Sequence, residues 1–115
     1  MATVGSGKYT YEVVEDWAKL PAGMAFGTVS AVATDSQDRV YAFQRTEPPV
    51  VVFDRQGNYL NSWGQGMFEN PHGIFIANDI AYLTDREGSI AMKCSLDGQP
   101  LLTIGAKGEY SDTGC

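Results

Sequence analysis

Hydrophobic positions in this chain come in short runs separated by Gly, Pro, Asn and Asp, and the runs follow the period of a strand. Across Arg39–Arg45, Val40, Ala42 and Gln44 alternate against Tyr41, Phe43 and Arg45. A run at Ala31–Asp35 precedes this one, and Glu47-Pro48-Pro49 breaks the chain after it. Val50–Asp54 is a β-branched run stopped by Arg55-Gln56-Gly57-Asn58, a hairpin-type turn, and Tyr59–Trp63 closes the set. The order recurs as Gly73–Ala77, Ile80–Asp85, Ile90–Cys94 and Leu101–Ile104, with Leu96-Asp97-Gly98 as the second hairpin turn. No stretch within either set follows a 3.6-residue period. Near the N-terminus, Tyr9, Tyr11 and Val13 alternate as a strand would, although Val13, Trp17 and Leu20 would also line one face of a helix. The strand is preferred, because Trp17 precedes a Leu-Pro-Ala-Gly loop much as Trp63 precedes Gly-Gln-Gly.

The two sets are copies. A shift of 41 residues matches Asp38 with Asp79, Tyr41 with Tyr82 and Arg45 with Arg86. It also matches Gly57 with Gly98, Leu60 with Leu101 and Gly64 with Gly105. Upstream of the repeated Asp the offset is 42, which sets Ser30 opposite His72, the chain's single histidine. The repeat therefore does not require a histidine at that position. A period of ~40–45 residues with four short strands per unit is that of a propeller blade. The pattern predicts an all-β chain of two four-stranded antiparallel propeller blades plus an N-terminal strand. Its parts are an N-terminal strand and loop at 1–28, a first blade at 29–70, a second at 71–110 and a tail at 111–115. Propellers close with about 4–8 blades, so two are an incomplete propeller unless the chain assembles. Stacked units with bare outer faces need neighbours.

Composition narrows the partners. The 115 residues are enough for one domain with a modest core. A net charge of −6 with scattered Lys and Arg argues against nucleic acid or an anionic membrane surface. No apolar run approaches the ~20 residues of a membrane span. The N-terminus lacks a basic region followed by an apolar segment, which leaves a cytoplasmic protein by default, or a piece whose targeting segment has been removed. Cys94 stands where Phe53 stands in the first unit and reads as a small core residue, with Cys115 at the chain end. No Cys-x-x-Cys pair suggests a zinc knuckle.

Several motifs carry a family resemblance from about Trp17 to Gly114. They are Arg39-Val-Tyr-Ala-Phe-Gln-Arg45, Phe53-Asp-Arg-Gln-Gly-Asn58, Ser62-Trp-Gly64, Phe68-Glu-Asn-Pro-His-Gly73, Tyr82-Leu-Thr-Asp-Arg-Glu87 and Ser111-Asp-Thr-Gly114. In this order and spacing the chain resembles NHL-repeat six-bladed propellers, above all bacterial proteins similar to peptidyl-α-hydroxyglycine α-amidating lyase, and matches roughly their two N-terminal blades. The resemblance implies a lyase that splits a peptidyl-α-hydroxyglycine into a peptide amide and glyoxylate. It implies a zinc ion on the propeller axis, held by three histidines from alternate blades. His72, in Asn70-Pro-His-Gly73, matches the first of these. Arg45 resembles an arginine of the family's active site, and Arg86 sits in an Asp-Arg-Glu setting like that of another, which lies on a later blade. The family's catalytic tyrosine falls on a stretch this chain does not have.

Each candidate also has a plainer reading. His72 suits zinc, which takes neutral imidazole, or it simply bonds across a loop at a channel mouth. Arg45 and Arg86 end the second strand of their units, where a planar fork suits a carboxylate or pairs with a neighbouring Asp85 or Glu87. Tyr41, Tyr82, Trp17 and Trp63 read as packing aromatics. No Gly-x-Ser-x-Gly elbow or phosphate loop occurs. With one histidine and no family tyrosine, the first expectation is a non-catalytic repeat module. It would self-assemble and bind a peptide, protein or small molecule at its loop ends. The alternative is a zinc-dependent amidating-lyase-like enzyme whose site forms between chains. A homotrimer would supply six blades and copy His72 three times around one axis.

Overall fold

The computed structural model describes residues 2–110 and contains only strands, turns and loops there. A hairpin comes first, β1 (Thr3–Ser6) and β2 (Tyr9–Glu12). Two four-stranded antiparallel sheets follow, each a meander in chain order. The first is β3 (Val29–Thr34), β4 (Val40–Gln44), β5 (Val50–Phe53) and β6 (Tyr59–Trp63). The second is β7 (Pro71–Ala77), β8 (Ile80–Asp85), β9 (Ile90–Ser95) and β10 (Pro100–Ile104). Both fit propeller-type blades, and the all-β expectation stands. The expected N-terminal strand is β2, and β1 pairs with it: Gly5 and Gly7, both at positive φ, let the chain fold back, and Val13 N–H donates to Ala2 O at 2.8 Å to close the two-stranded hairpin.

Burial explains why the two copies differ in pattern. The central strand β5 is buried at all four positions because both its faces are covered. On one side Tyr41, Phe43, Val50 and Val52 pack with Ile74, Ala81, Leu83 and Cys94 of the second sheet, with Trp63 and Phe68 in the same core. On the other side Ala42, Val51 and Phe53 are covered by the segment running from Trp17 through Leu20 to Met24. Strand β8 has one covered face only. Ala81, Leu83 and Asp85 point in while Tyr82 and Thr84 are exposed. Each apolar side chain fully buried here is worth about 1.5–3 kcal/mol.

Trp17 and Trp63 do the same job in the two halves. Trp63 lies flat against Gly98 in the second sheet's hairpin turn, close enough that a Cβ there would meet its ring at 2.7 Å. Trp17 lies against Gly57, the matching turn glycine of the first sheet, and meets Phe53 at a tilt, with ring centroids 5.7 Å apart. Lys19 then fastens this strap to the same turn, its N–H donating to Gly57 O and its Nζ to Gln56 O, both at 2.8 Å. Trp17 is thus a packing aromatic in the strap, beyond the N-terminal hairpin. Tyr41 and Cys94 are core residues, whereas Tyr82 stands on the exposed face of the second sheet.

Candidate functional site: the loop ends at the junction of the sheets

Gln44, the last residue of β4, is fully buried with both ends of its amide satisfied. Its Oε1 accepts from Gly27 N–H and its Nε2 donates to Pro48 O, each at 2.8 Å. Its own N–H donates to Pro49 O at 2.8 Å, beside a cis Glu47–Pro48 bond. This anchor leaves Arg45 at the rim. The Arg45 N–H donates to Thr28 O at 2.9 Å and its Nε to Pro71 O at 3.0 Å. Its Nη2 lies 3.5 Å from His72 Nδ1. An arginine of the first sheet therefore reaches the histidine of the second.

His72 occupies a β-bulge, the register shift between Pro71 and Gly73 in the β7–β8 ladder. A bulge takes a side chain out of the strict in–out alternation and re-aims it. The first sheet has the same shift between Val29 and Ala31, where Ser30 donates through Oγ to Phe43 O at 3.3 Å. The bulge belongs to the repeat, and the imidazole to the second sheet alone.

Asp85 fills in the second sheet the place that Gln44 fills in the first. Its carboxylate is buried and accepts from Glu69 N–H at 2.7 Å, Asn70 N–H at 2.8 Å and Gly88 N–H at 2.9 Å. Burial pushes its pKa up, but these three donors, with the charge of Lys107 behind them, outweigh that and hold it below the ordinary carboxylate value. Gly27 and Glu69 share a repeat position, so Gln44 and Asp85 secure equivalent loops. Neither appeared among the sequence candidates. Their signal was a polar residue, in both copies, on the otherwise apolar face of the second strand.

Arg86 holds the station of Arg45, and its N–H donates to Asn70 O at 2.9 Å as Arg45's does to Thr28 O. Its exposed side chain has no hydrogen-bond or ion partner among the described residues. The anticipated pairing with Asp85 or Glu87 is not what the structure holds: Asp85 is taken by backbone donors, and Glu87 Oε1 accepts from Asn70 Nδ2 at 3.4 Å. The structure brings Arg45 and His72 together and leaves Arg86 at the matching place one sheet further on.

A cavity of about 80 Å³, lined by Arg45, Thr46, Glu47, Glu69 and Pro71 among others, opens beside the guanidinium. That is room for a water or two or a small polar group. The pair offers N–H donors from a planar cation, which is chemistry for holding an anion. One chain does not fit a zinc ion. Among the described residues no group of three His, Cys, Asp or Glu could hold a metal. His72 is the chain's single imidazole, and its Nδ1 faces Arg45 Nη2 at 3.5 Å. The closing Ser111–Gly114 motif and Cys115 lie outside the described residues.

No protein-family model matches the chain, and no curated protein matches it.

Proposed function

We propose that the chain is an NHL-type propeller repeat module that assembles with copies of itself and offers its loop ends to a carboxylate-bearing peptide or small molecule. One chain lacks complete catalytic machinery. The observation that carries this reading is the outer face of the second sheet, bare among the described residues. Phe75, Tyr82, Leu102 and Ile104 stand exposed there around a concavity of about 340 Å³. On the first sheet the corresponding face, with Tyr41, Phe43 and Trp63, is core. Apolar surface of that kind marks an interaction site. Three chains of two sheets each make the six sheets of the family the sequence resembles, so a trimer is the assembly we favour.

The Arg45–His72 pair supports the binding half of the proposal, because Arg45 Nη1 has no hydrogen-bond partner among the described residues while its Nε holds Pro71 O. Sedimentation velocity over a hundredfold range of concentration tests the assembly. Titration with a short peptide as free acid and as C-terminal amide tests the ligand. The expected result is a mass near three chains and tighter binding of the acid, lost in Arg45→Ala. A protein that stays monomeric and binds both peptides equally refutes both halves. Zinc retained at one ion per three chains, and lost in His72→Ala, would restore the zinc-enzyme alternative in place of the plain module.

A further inference from the structure

We infer that copies of the chain join head to tail, the bare face of the second sheet receiving the next copy's first sheet through Val32 and Phe26. This rests on the self-assembly proposed above and adds which surfaces meet. The reasoning starts from the junction inside the chain, where β7 packs on β3 and β4. One half of that junction is Tyr41 and Trp63, and the other is Ile74 and Phe68. Moved one repeat along, the first half becomes Tyr82 and Ile104 on the bare face of the second sheet. Moved one repeat back, the second half becomes Val32 and Phe26 on the outer side of the first.

The exposures are those of a junction taken apart. Ile74 is 8% exposed and Val32, its counterpart, 63%; Trp63 is 6% exposed and Ile104 65%. Phe68 is buried at 5.0 Å from Phe43 in an edge-on pair, whereas Phe26, tilted against Phe53 at 5.9 Å, keeps 39% of its surface exposed. After the second sheet the chain places Glu109, which cannot fill an apolar core, where it places Phe68 after the first. Phe26 of the incoming copy supplies the missing ring. The strap stands on the same side: it covers Ala42, Val51 and Phe53, and Trp17 fills the place against Gly57 that Trp63 fills against Gly98. The copies therefore meet on the β3 side through Val32 and Phe26, and the receiving copy's Ile104 faces the strap rather than Gly57.

Polar groups repeat the logic. Inside the chain Arg45 Nε donates to Pro71 O at 3.0 Å, and Ser36 donates through N–H and Oγ to Asp79 at 3.0 and 2.6 Å. One repeat along, these become Arg86 to the partner's Val29 carbonyl and Asn78 to the partner's Asp38. Asp38 and Asp79 occupy the same left-handed turn position, at φ 59° and 56°. The contact also gives the Arg86 side chain an acceptor. Two bare faces meeting about a twofold axis would leave Val32, Phe26 and Asp38 unused. A heterologous contact of this kind closes into a ring or continues as a filament, and the trimer is the closing case.

Paired variants test the inference. Val32→Asp spoils only the head and Phe75→Asp only the tail, both at exposed positions; Ile104→Asp is a second tail variant should Phe75→Asp misfold. Circular dichroism and thermal melts first establish that each variant is folded. Sedimentation equilibrium is then expected to show association of each variant alone weakened at least tenfold. An equimolar mixture of head and tail variants is expected to form a one-to-one dimer and stop, since each partner keeps one live face. Arg86→Ala should weaken assembly several-fold without moving the monomer's melting point. Self-association of Val32→Asp equal to wild type overturns the head-to-tail contact, as does a mixture that stays monomeric while wild type assembles. A monomeric wild type overturns instead the self-assembly on which the inference rests.

Discussion

Replacing Gly98 with alanine separates a backbone cost from a packing cost at one atom. Gly98 sits at φ +92°, a conformation that costs an L-residue about 1–2 kcal/mol. The new Cβ would lie 2.7, 2.8 and 2.9 Å from three atoms of the Trp63 ring, well inside van der Waals contact. That ring is wedged in the junction core and gives way only by disturbing it, an overpacking cost of about 1–3 kcal/mol. The sum is about 2–5 kcal/mol, a large part of the ~5–15 kcal/mol that holds a domain together. Gly66→Ala is the control, because Gly66 is at φ +75° with open space around its Cβ and carries the backbone part alone. Urea unfolding followed by circular dichroism measures both. The excess of Gly98→Ala over Gly66→Ala is expected to be about 1–3 kcal/mol and to vanish in a Trp63→Leu background. An excess below about 0.5 kcal/mol, or one that survives loss of the indole, would refute the reading of this contact.

Other consequences can be measured directly. Asp35 and Asp85 are both held below the ordinary carboxylate value. Burial pushes Asp35 up, but hydrogen bonds from Arg39, Gln37 and Tyr41 outweigh it. Their stabilisation is therefore present above the unfolded value near 3.8 and is lost as pH falls through the lower folded values; Asp85→Asn is expected to flatten the acid limb and cost about 1–3 kcal/mol at pH 7 in urea titrations. Every residue of β1 and β2 is exposed, so deleting residues 2–12 should leave the unfolding free energy within about 0.5 kcal/mol of wild type. Burial pushes the Cys94 thiol up to about 11, so in a Cys115→Ser background it should react with a disulfide reagent at pH 8 only at the rate of unfolding.

Strand order was legible because each unit repeats its turn glycine. Gly57 and Gly98 end hairpins with the same bonds, Gly57 N–H to Asp54 O at 3.0 Å and Gly98 N–H to Ser95 O at 3.1 Å. The Val50–Phe53 run was legible as strand, but not as a strand covered on both sides, since alternation disappears when both faces are buried. The N-terminal hairpin was half visible. Residues Tyr9–Glu12 showed alternation, while Thr3–Ser6 offers only Val4 as a large apolar side chain. Arg45, Arg86 and His72 stood out by residue type, and the contact of Arg45 with His72 did not, because it joins residues 27 positions apart in different units. Gln44 and Asp85 escaped notice because their signal, a polar residue in both copies on an otherwise apolar face, marks groups that satisfy loop backbone rather than reactive chemistry.

The sandwich of strap, first sheet and second sheet has a consequence for how the chain comes apart. No layer has a core of its own: each apolar face except the outer one of the second sheet is completed by the next layer, so stability passes from neighbour to neighbour as in a linear array. The middle layer is held from both sides and the outer ones from one. Protection of backbone amides against solvent exchange is then graded across the stack, deepest at β5 and shallowest at β10, whose five residues are all exposed. Opening starts at that edge, and a neighbour seated there would raise protection throughout the second sheet.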